Sequence, residues 1–491
     1  MQRIKVKENA AYRKVTEALK KRRQGATVAD IVAATALPLE TVRELVPQAA
    51  DEYSARLEVT ESSEIRYSFP RGFESRYRGF KAGFKRVTQK LGRGMAFLGV
   101  RAFKVWIMVM LIGYFVLFML IALASLVVAT VASSSNSGSR RGRETFIGPQ
   151  IFNLIIRLWF YSELTKSVNR GYYGRGLKAE PKRSPLHKSI FSFVFGEDDP
   201  NKDWTARENR ALIAFIQAHR GLISLPEFMS FTGMGPAEAE EAILSFCAEY
   251  GGSPEASEEG TILYRFNEIL LRTDTRDRSF PGSSSPIKQL KRFSKNKKSM
   301  NVWFGIINSV NLLFGGYFFY NALQTGQILQ GVPFEGSYLY GITYKLLEII
   351  VQNPLPFIAI GLGLVPLVFS VLFWLIPAIR FFTEKKENEA IKTGNLKRLG
   401  FSRIWSNPLR VEVKDIDSSA AECRPRNIAA ARDRVLKEMG GYSVPDVEID
   451  ESGNTVYSFK VLDEEKKVLE KYRSGIDPNA ASLGKTIFDS E

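Results

Sequence analysis

VWIMVMLIGYFVLFMLIALASLVVATV, residues 105–131, carries no charged side chain. A helix that crosses the hydrocarbon core of a bilayer needs about 20 apolar residues. This stretch is long enough, so it predicts a transmembrane helix. Two further uncharged apolar stretches occur at 302–323 and 355–379. The sequence therefore predicts an α-helical multi-pass membrane protein.

Polar and kinked positions refine two of these helices. Asn308, Asn311 and Asn321 in the second stretch predict a face that packs against other helices, where amide groups find hydrogen-bond partners. The prolines of the third stretch are expected to kink that helix without ending it.

A fourth apolar stretch, FIGPQIFNLIIRLWFY at 146–161, allows two interpretations. Gln150, Asn153 and Arg157 fall on one helical face and the rest of the segment is apolar. The segment could span the membrane with this face buried in a bundle, or it could lie in the interface plane. We favour the spanning interpretation, which gives four transmembrane helices.

A basic stem, RGFESRYRGFKAGFKRV at 71–87, places aromatic residues at helical spacing between lysines and arginines. It leads into the first apolar stretch, so we expect an amphipathic helix on an anionic membrane surface. Packing on a neighbouring domain is the alternative, and a DNA-binding arm is disfavoured because Asn and Gln are nearly absent. The predicted lipid-contacting residues of the stem are Arg71, Phe73, Tyr77, Arg78, Phe80, Lys81, Phe84, Lys85 and Arg86. A second predicted lipid-contacting set, the basic strip, consists of Lys288, Lys291, Arg292, Lys295, Lys297 and Lys298.

The distribution of positive charge predicts the orientation of the chain in the membrane. Basic segments flank the apolar stretches at 71–104, 166–188, 288–298 and 380–398, whereas the loop at 326–354 holds few charges. Four spans then place the large polar parts in the cytoplasm and the chain in the inner cell membrane. SRRGR at 139–143 is an exception, because four spans would place it outside. The polar N-terminus gives no cleavable secretory signal.

An internal repeat is the most informative feature of the polar parts. Residues 26–46 and 223–243 align as two short helices joined by a turn, with a Ser or Thr before the first helix, which is typical of a helix-turn-helix. A hairpin pattern follows each copy and occurs a third time at 446–459. The three hairpins end in Tyr-x-Phe, at Tyr67 and Phe69, Tyr264 and Phe266, and Tyr457 and Phe459.

A helix-turn-helix followed by a hairpin is a winged helix, so the sequence predicts α+β winged-helix-like soluble modules; generic local similarity is the alternative. The third module is expected to be truncated, because we identify only one helix, 429–441, before its hairpin.

The predicted domains are module 1 at 1–70, a basic amphipathic juxtamembrane helix at 71–104, a transmembrane helix plus a second spanning or interfacial helix at 105–165, a basic linker at 166–200, module 2 at 201–275, a basic linker at 276–300, a transmembrane hairpin at 301–380, a linker at 381–425, partial module 3 at 426–475 and a flexible tail at 476–491.

The charge of the second helix in each full copy disfavours nucleic-acid binding. In copy two this helix carries Glu238, Glu240, Glu241 and Glu249 and no basic residue. Phosphates repel such a helix, and base reading requires Arg, Lys, Asn or Gln. The net charge of +16 is carried by the membrane-flanking segments, which favour anionic lipid as one partner and an unidentified protein as another.

The chain lacks the residue sets that most enzymes and metal sites require. With two cysteines, Cys247 and Cys423, and two histidines, it offers no thiolate or imidazole metal site. No phosphate-binding loop, dinucleotide fingerprint or nucleophile elbow is found. Asp198 and Asp199 are interpreted as a solvated acidic loop. We therefore expect no catalytic residue, no cofactor and no enzyme activity.

The motifs resemble an uncharacterised multi-pass membrane family of bacteria, including cyanobacteria, and plastids. The stretches that carry the resemblance are TVADIVAATALPLETV at 27–42, LEVTESSEIRYSFP at 57–70, SIFSFVFGEDDPNKDW at 189–204 and the later Tyr-x-Phe pairs. Some plant members are labelled iron–sulfur cluster biosynthesis proteins, but this sequence gives that label no ligands. Cys247 lies in an apolar helical run that is typical of a core.

Together these features predict a non-enzymatic membrane protein whose cytoplasmic modules recruit or scaffold a partner protein at the membrane surface. A membrane-tethered nucleic-acid regulator is the first alternative. A channel or transporter subunit is the second, and self-association stays open.

Overall fold

The computed structural model describes residues 2–70, 72–74, 99–134, 185–273, 285–328, 338–419, 424–451, 453–477 and 482–490. The chain divides into two units. Unit 1 contains Met1–Arg86, Asp199–Lys291 and Lys386–Glu491, and unit 2 contains Val87–Asp198 and Arg292–Lys385.

The N-terminal part of unit 1 is the first module. Its elements are α1 (Gln2–Lys21), α2 (Val28–Thr35), α3 (Leu39–Glu52), β1 (Arg56–Thr60) and β2 (Ile65–Ser68). Thr27 and Asp30 form a capping box at the start of α2, which satisfies backbone N–H groups that lack helical partners. Ala36 ends this helix with a φ of 54°.

The first apolar helix of unit 2 spans Gly99–Val128. It contains a π-helical stretch, Val109–Gly113, that continues into α4 (Tyr114–Ser134). A second helix of the unit, α5 (Leu186–Phe195), lies in the segment that the sequence assigned to a basic linker. That assignment missed the helix because basic residues precede this short apolar run.

The second module follows in unit 1. Its elements are α6 (Trp204–Ala218), β3 (Leu222–Ser224), α7 (Leu225–Thr232), α8 (Pro236–Tyr250), β4 (Ser253–Ala256) and β5 (Ile262–Arg265). The turn between α7 and α8 repeats that of the first module. Thr35 Oγ1 and Thr232 Oγ1 each donate to the carbonyl four residues earlier, 2.7 and 2.8 Å away. Each also accepts the N–H two residues later at 3.3 Å.

Three further helices follow. They are α9 (Lys298–Ile328), α10 (Tyr338–Glu348) and α11 (Val365–Ser406). A turn at Pro354–Pro356 and a π-helical stretch, Phe357–Leu364, precede α11. The unit boundary falls within α11, between Lys385 and Lys386, so the segment assigned to a linker after residue 380 begins as helix.

The third module is more complete than the sequence predicted. After α11 come β6 (Val411–Glu412), α12 (Val413–Ser419), α13 (Ile428–Gly440), β7 (Asp446–Ile449), β8 (Thr455–Ser458) and α14 (Lys460–Gly475). The predicted truncation is wrong, because β6 and α12 precede α13. They were missed because β6 has only two residues and α12 lacks the Thr-Gly turn of α7.

The C-terminal segment also differs from its prediction as a flexible tail. It contains β9 (Thr486–Asp489), which pairs antiparallel with β1. The pairing joins strands more than 400 residues apart in sequence, so no local pattern indicates it.

The three modules share one strand order. The residue or strand before the first short helix lies beside the second hairpin strand, giving Ala26–β2–β1, β3–β5–β4 and β6–β8–β7. The Phe of each Tyr-x-Phe pair is buried. Its N–H donates to a carbonyl at the entry to the module, from Phe69 to Arg23, from Phe266 to Gly221 and from Phe459 to Pro408, at 2.7–3.0 Å. The repeat thus extends to individual hydrogen bonds.

Unit 2 is a helical bundle with two hydrophobic clusters. One contains Ile107, Phe304 and Phe373. The other contains Phe118, Phe318 and Ile358. Along the first apolar helix and α9 the chain meets the Ile107 cluster before the Phe118 cluster. Along Pro354–Ser406, which contains α11, it meets them in the reverse order. The first two helices therefore run parallel, and α11 runs antiparallel to them.

The helices of this bundle approach closely at small and amide residues. A Cβ on Gly363 would lie 2.8 Å from Phe319 Cα. Asn308 Nδ2 donates to Ser370 O at 2.9 Å and Asn311 Nδ2 to Leu111 O at 2.8 Å, and both asparagines are fully buried. This confirms the predicted interhelical partners for Asn308 and Asn311, whereas Asn321 is buried but bonds to Tyr317 O of its own helix.

Three helices of the described residues are long and apolar enough to cross a membrane. They are Gly99–Val128, Lys298–Thr325 and Pro354–Ser406. They contain the predicted stretches at 302–323 and 355–379 and most of the one at 105–131. The fourth stretch, 146–161, lies outside the described residues.

Candidate functional site

The basic strip follows an extended path in unit 1 that three asparagine side chains hold. Asn395 Oδ1 accepts the N–H of Lys288 at 3.0 Å and its Nδ2 donates to the carbonyl of the same residue at 2.8 Å. Asn388 brackets Lys291 in the same way at 2.8 and 2.9 Å. Asn201 brackets Gln289 at 2.7 and 2.9 Å. These amides act as a strand partner would, so the backbone is fixed without a sheet.

Two lysines of the strip have partners within unit 1. Lys291 Nζ lies 2.9 Å from Glu387 and 3.1 Å from Asp199. Hydrogen bonding to Glu387, together with that to Asp199, raises the pKa of Lys291 above its usual range. Lys288 Nζ lies 5.3 Å from the centre of the Trp204 ring, within the range of a cation–π contact.

Asp199 stabilises the turn that precedes Asn201. Its Oδ1 accepts the N–H of Asn201 at 2.9 Å. That hydrogen bond and the ammonium of Lys291 lower the pKa of Asp199. The carboxylate therefore shapes the turn that delivers Asn201 to the strip.

In unit 2 the strip continues as Arg292, Lys295, Lys297 and Lys298. Lys295 pairs with Glu197 at 2.9 Å. Arg292, Lys297 and Lys298 are exposed and have no ion-pair partner within the described ranges. These three charges are the ones left available for an anionic ligand.

A cavity of about 270 Å³ lies beside this part of the strip in unit 2. Its charged lining residues are Lys104, Lys188, Glu197, Asp198 and Lys295. Lys104 Nζ lies 4.1 Å from the centre of the Phe191 ring. The sequence prediction included Lys295 in its lipid-contacting set and left out Lys104 and Lys188, because their approach depends on the fold.

Glu197 balances the positive charge of this cavity. Ser192 Oγ donates to its Oε1 at 2.5 Å and Lys295 pairs with its Oε2. Burial opposes ionisation, but the hydrogen bonds from Ser192 and Lys295 outweigh it and lower the pKa of Glu197. The carboxylate stays charged at neutral pH and neutralises the charge of Lys295. An anion in the cavity would therefore be attracted by Lys104 and Lys188.

The basic stem lies outside the described residues except for Phe73 and its two neighbours. The Phe73 ring stacks on Phe69 at 4.5 Å and lies 5.1 Å from Tyr53. Lys20 Nζ is 5.7 Å from the same ring. For this residue the structure gives a contact with its own module, and its lipid contact stays a prediction.

The exposed face of α8 is acidic. Glu238, Glu240, Glu241 and Glu249 are all exposed on this helix, as is Leu244. The exposed arginine of α3, Arg43, is paired with Glu40 at 2.8 Å and Glu268 at 3.0 Å. Neither helix offers an unpaired basic side chain to a phosphate.

The sequence missed the ion pair made by an acid at the third position of the first short helix of each module; this acid is buried in the first two modules and half-buried in the third. Asp30 lies 3.0 Å from Arg22 and 3.2 Å from Arg272. Glu227 pairs with Arg473. Asp415, in the same position of α12, lies 3.3 Å from Arg403. The aligned Asp30 and Glu227 were the available signal, but their arginine partners lie in other parts of the sequence.

Metal-binding groups are absent from the parts of the chain that the structure covers: no cluster of three or more His, Cys, Asp or Glu side chains is found there. Cys247 is buried, which confirms its interpretation as a core residue. Burial raises the pKa of its thiol to about 11, so a thiolate ligand is disfavoured.

The described chain is thus mostly helical, with small sheets and three apolar helices compatible with membrane association. Over 399 residues it is 23% identical to a chloroplastic protein of Arabidopsis thaliana that is described as uncharacterized. The similarity covers 78% of this chain and 70% of that protein. No family model and no solved structure matches the chain. This distant plant relative agrees with the plastid members of the family that the motifs resemble.

Proposed function

We propose that the chain is a multi-pass membrane protein whose winged-helix-like modules hold or recruit a partner protein at the membrane surface. The observation that carries the proposal is the acidic, exposed face of α8 in a chain with three apolar helices. A winged helix usually presents this helix to DNA, and four exposed glutamates suit a protein surface instead.

The winged-helix description rests on the shared strand order and on the helix-turn-helix contacts. Each module places a strand, or a single bridging residue, before two short helices and a hairpin. The equivalent Thr35 and Thr232 hydrogen bonds support a common turn.

The membrane description rests on the surface of the unit 2 helices. Large apolar side chains such as Leu120, Leu313 and Val371 are exposed on all three candidate helices. Close contact at Gly363 and amide hydrogen bonds at Asn308 and Asn311 are features of helix packing in lipid.

The positions of the helices that flank the segment between residues 134 and 185 support four membrane crossings. Helix α4 ends beyond the cluster that contains Phe118, whereas α5 packs at the opposite end of the bundle with Ile107 and Phe304. The predicted spanning helix at 146–161, which lies outside the described residues, would join these ends. The modules would then share the cytoplasmic side of the inner membrane.

Anionic lipid is the second proposed partner. Lys297 and Lys298 are exposed at the start of α9, where a candidate span begins. Replacing both with Gln should weaken phosphatidylglycerol retention by about 1 kcal/mol per charge, as measured by native mass spectrometry in detergent. Lys291→Gln is the control, because Lys291 is already paired with acids. Equal losses in both variants would argue against a specific lipid contact.

Photo-cross-linking in native membranes tests the protein partner. A photoreactive residue in place of Glu241 should form a protein adduct, whereas one in place of Glu258, exposed on the hairpin turn of the same module, should not. With the photoreactive residue placed at Leu244, Glu240→Lys should reduce the yield of the protein adduct. A nuclease-sensitive adduct would support the nucleic-acid regulator instead, and equal adducts at both positions would reject the α8 surface.

A channel or transporter subunit is a second candidate, favoured by two features of the bundle. Asn308 Oδ1, Asn311 Oδ1 and Ser370 Oγ are buried in the bundle without a hydrogen-bond partner. Two π-helical stretches lie in the same bundle, and such stretches are frequent at functional sites. Solute flux in proteoliposomes that Asn308→Leu abolishes would support this function.

A further inference from the structure

The three modules present one equivalent sheet edge, formed by the first strand of each hairpin. At the turn end of these strands, Thr60, Ser257 and Asp450 donate their N–H groups across the hairpin at 2.9–3.0 Å. In an antiparallel ladder, hydrogen-bonded pairs alternate with pairs whose N–H and C=O groups point outward. Leu57, Pro254 and Val447, each three residues earlier, are therefore the equivalent outward-facing positions.

In the first module this edge is closed by another strand. Ser490 N donates to Leu57 O at 3.0 Å, and Leu57 N donates to Ser490 Oγ at 2.9 Å. Strand β9 continues the pairing, with Val59 opposite Phe488. An ion pair between Arg56 and Asp489 fixes the strand ends. The module architecture therefore accepts an added antiparallel strand at this position.

In the second module the edge is blocked by composition. Its outward-facing position is Pro254, which has no N–H group to offer. Proline on an edge strand is a common means of preventing further pairing.

In the third module the described part of the chain leaves this edge open. No described segment pairs with the outer side of β7. Val447 and Ile449 are 57% and 76% exposed, and Val447 retains an outward N–H that Pro254 lacks. The strand alternates acid and apolar residues, with Asp446 and Glu448 pointing to one face and Val447 and Ile449 to the other.

We propose that β7 binds an extended segment of a partner protein as an added antiparallel strand. Main-chain hydrogen bonds to Val447 and Ile449 would supply affinity, as in other strand-addition complexes. The alternation of β7 defines the segment: Lys or Arg opposite Glu448, because Asp446 already pairs with Lys460 at 2.8 Å, and apolar residues on the other face. The inference rests on the proposed recruiting function, but it uses a surface separate from α8.

Binding of a labelled peptide to the full-length protein in an uncharged detergent tests the strand site. The probe is a six-residue peptide of alternating Lys and Val, with a peptide of the same composition in two blocks as its control. We expect saturable binding of the alternating peptide at one site. Val447→Pro should weaken it at least ten-fold, because proline removes an N–H and Pro254 indicates that the hairpin tolerates it.

Charge reversal provides a second variant that does not depend on a proline. Glu448→Lys should weaken binding about ten-fold, whereas Glu255→Lys, the matched change on the blocked edge of module 2, should leave it unchanged. Circular dichroism verifies that each variant is folded.

Several results would overturn the inference. Wild-type affinity in folded Val447→Pro, equal losses in the two charge variants, or no binding of the alternating peptide would each reject the strand site. A dimer that Val447→Pro converts to a monomer would assign the edge to a second copy instead. A cross-linked partner at α8 with an inactive β7 edge would leave the proposed function standing and reject this inference alone.

Discussion

Units 1 and 2 bury polar groups in different ways. Unit 1 buries carboxylates against guanidinium groups, as in Asp30 with Arg272 and Glu227 with Arg473. The buried polar side chains of unit 2 are neutral within the described ranges, and Asn308 and Asn311 donate to main-chain carbonyls of neighbouring helices. A buried charge needs a paired partner, whereas an amide needs only a carbonyl within reach.

This difference indicates what specifies each unit. Unit 1 is tied together by ion pairs between segments far apart in sequence, such as Glu227 and Arg473, which are 246 residues apart. Unit 2 is held by close approach of helices at glycine and asparagine. Substitutions of the charged pairs should therefore affect stability more than substitutions of the amides.

The largest expected effect follows removal of one member of a buried ion pair. Arg473→Leu leaves Glu227 buried and unpaired, so unit 1 should lose about 3–5 kcal/mol of unfolding free energy. Hydrogen exchange of unit 1 peptides measures the change. The double variant Glu227→Leu with Arg473→Leu should recover most of the loss. A double variant as unstable as the single one would contradict the assigned cause.

A smaller effect is expected where the helices of unit 2 meet. Gly363→Leu forces a side chain against the backbone of Phe319, so the bundle should lose about 1–3 kcal/mol. Unfolding of the purified protein by SDS in mixed micelles measures this. Gly341→Leu is the matched control, because a Cβ there meets nothing within 4 Å. Equal effects would show that the close approach at Gly363 is unimportant.

Loss of one interhelical amide bond should have a weaker effect. Asn311→Leu removes the hydrogen bond to Leu111 O and should cost about 1 kcal/mol in the same SDS assay. Asn321→Leu should cost less, because Asn321 Nδ2 bonds to Tyr317 O of its own helix. A larger loss for Asn321→Leu would reverse the proposed role of the amides.

The smallest expected change concerns the acid dependence of unit 1. Burial raises the pKa of Asp30, but hydrogen bonds from Thr273 and Thr27 outweigh it and lower the pKa below the usual 3.8. A lowered pKa stabilises the folded state above pH ~4, and this stabilisation is lost as the pH falls through the folded-state value. Asp30→Asn should therefore lose less stability than wild type between pH 5 and pH 2. Parallel melting curves in acid would refute this.

Local patterns predicted those parts of the fold that depend on neighbouring residues. Apolar length gave the three candidate spans, and alternation with turn residues gave the hairpins that end in Phe69, Phe266 and Phe459. The same reasoning predicted the packed asparagine face, because an amide in an apolar helix needs a partner.

Features that depend on distant segments were beyond the reach of the sequence. Strand β9 pairs with β1 across most of the chain, and β6 is too short to carry a periodic signal. The basic strip was recognised from its lysines, but its path depends on Asn201, Asn388 and Asn395. The Phe73 ring fitted an amphipathic stripe equally well whether it faced lipid or, as found, Phe69 and Tyr53.

The asparagine brackets have a consequence for how the basic strip can vary. They hold Lys288, Gln289 and Lys291 through main-chain hydrogen bonds, and Lys291 is also held by its ion pairs with Glu387 and Asp199. The charge at Lys288 can therefore be exchanged without redirecting the backbone, whereas Asn388→Asp or Asn395→Asp would place a carboxylate against a carbonyl oxygen. The conformation of this segment depends on Asn388 and Asn395, whereas its charge depends on the lysines. Substitutions can therefore change the charge while the conformation is kept.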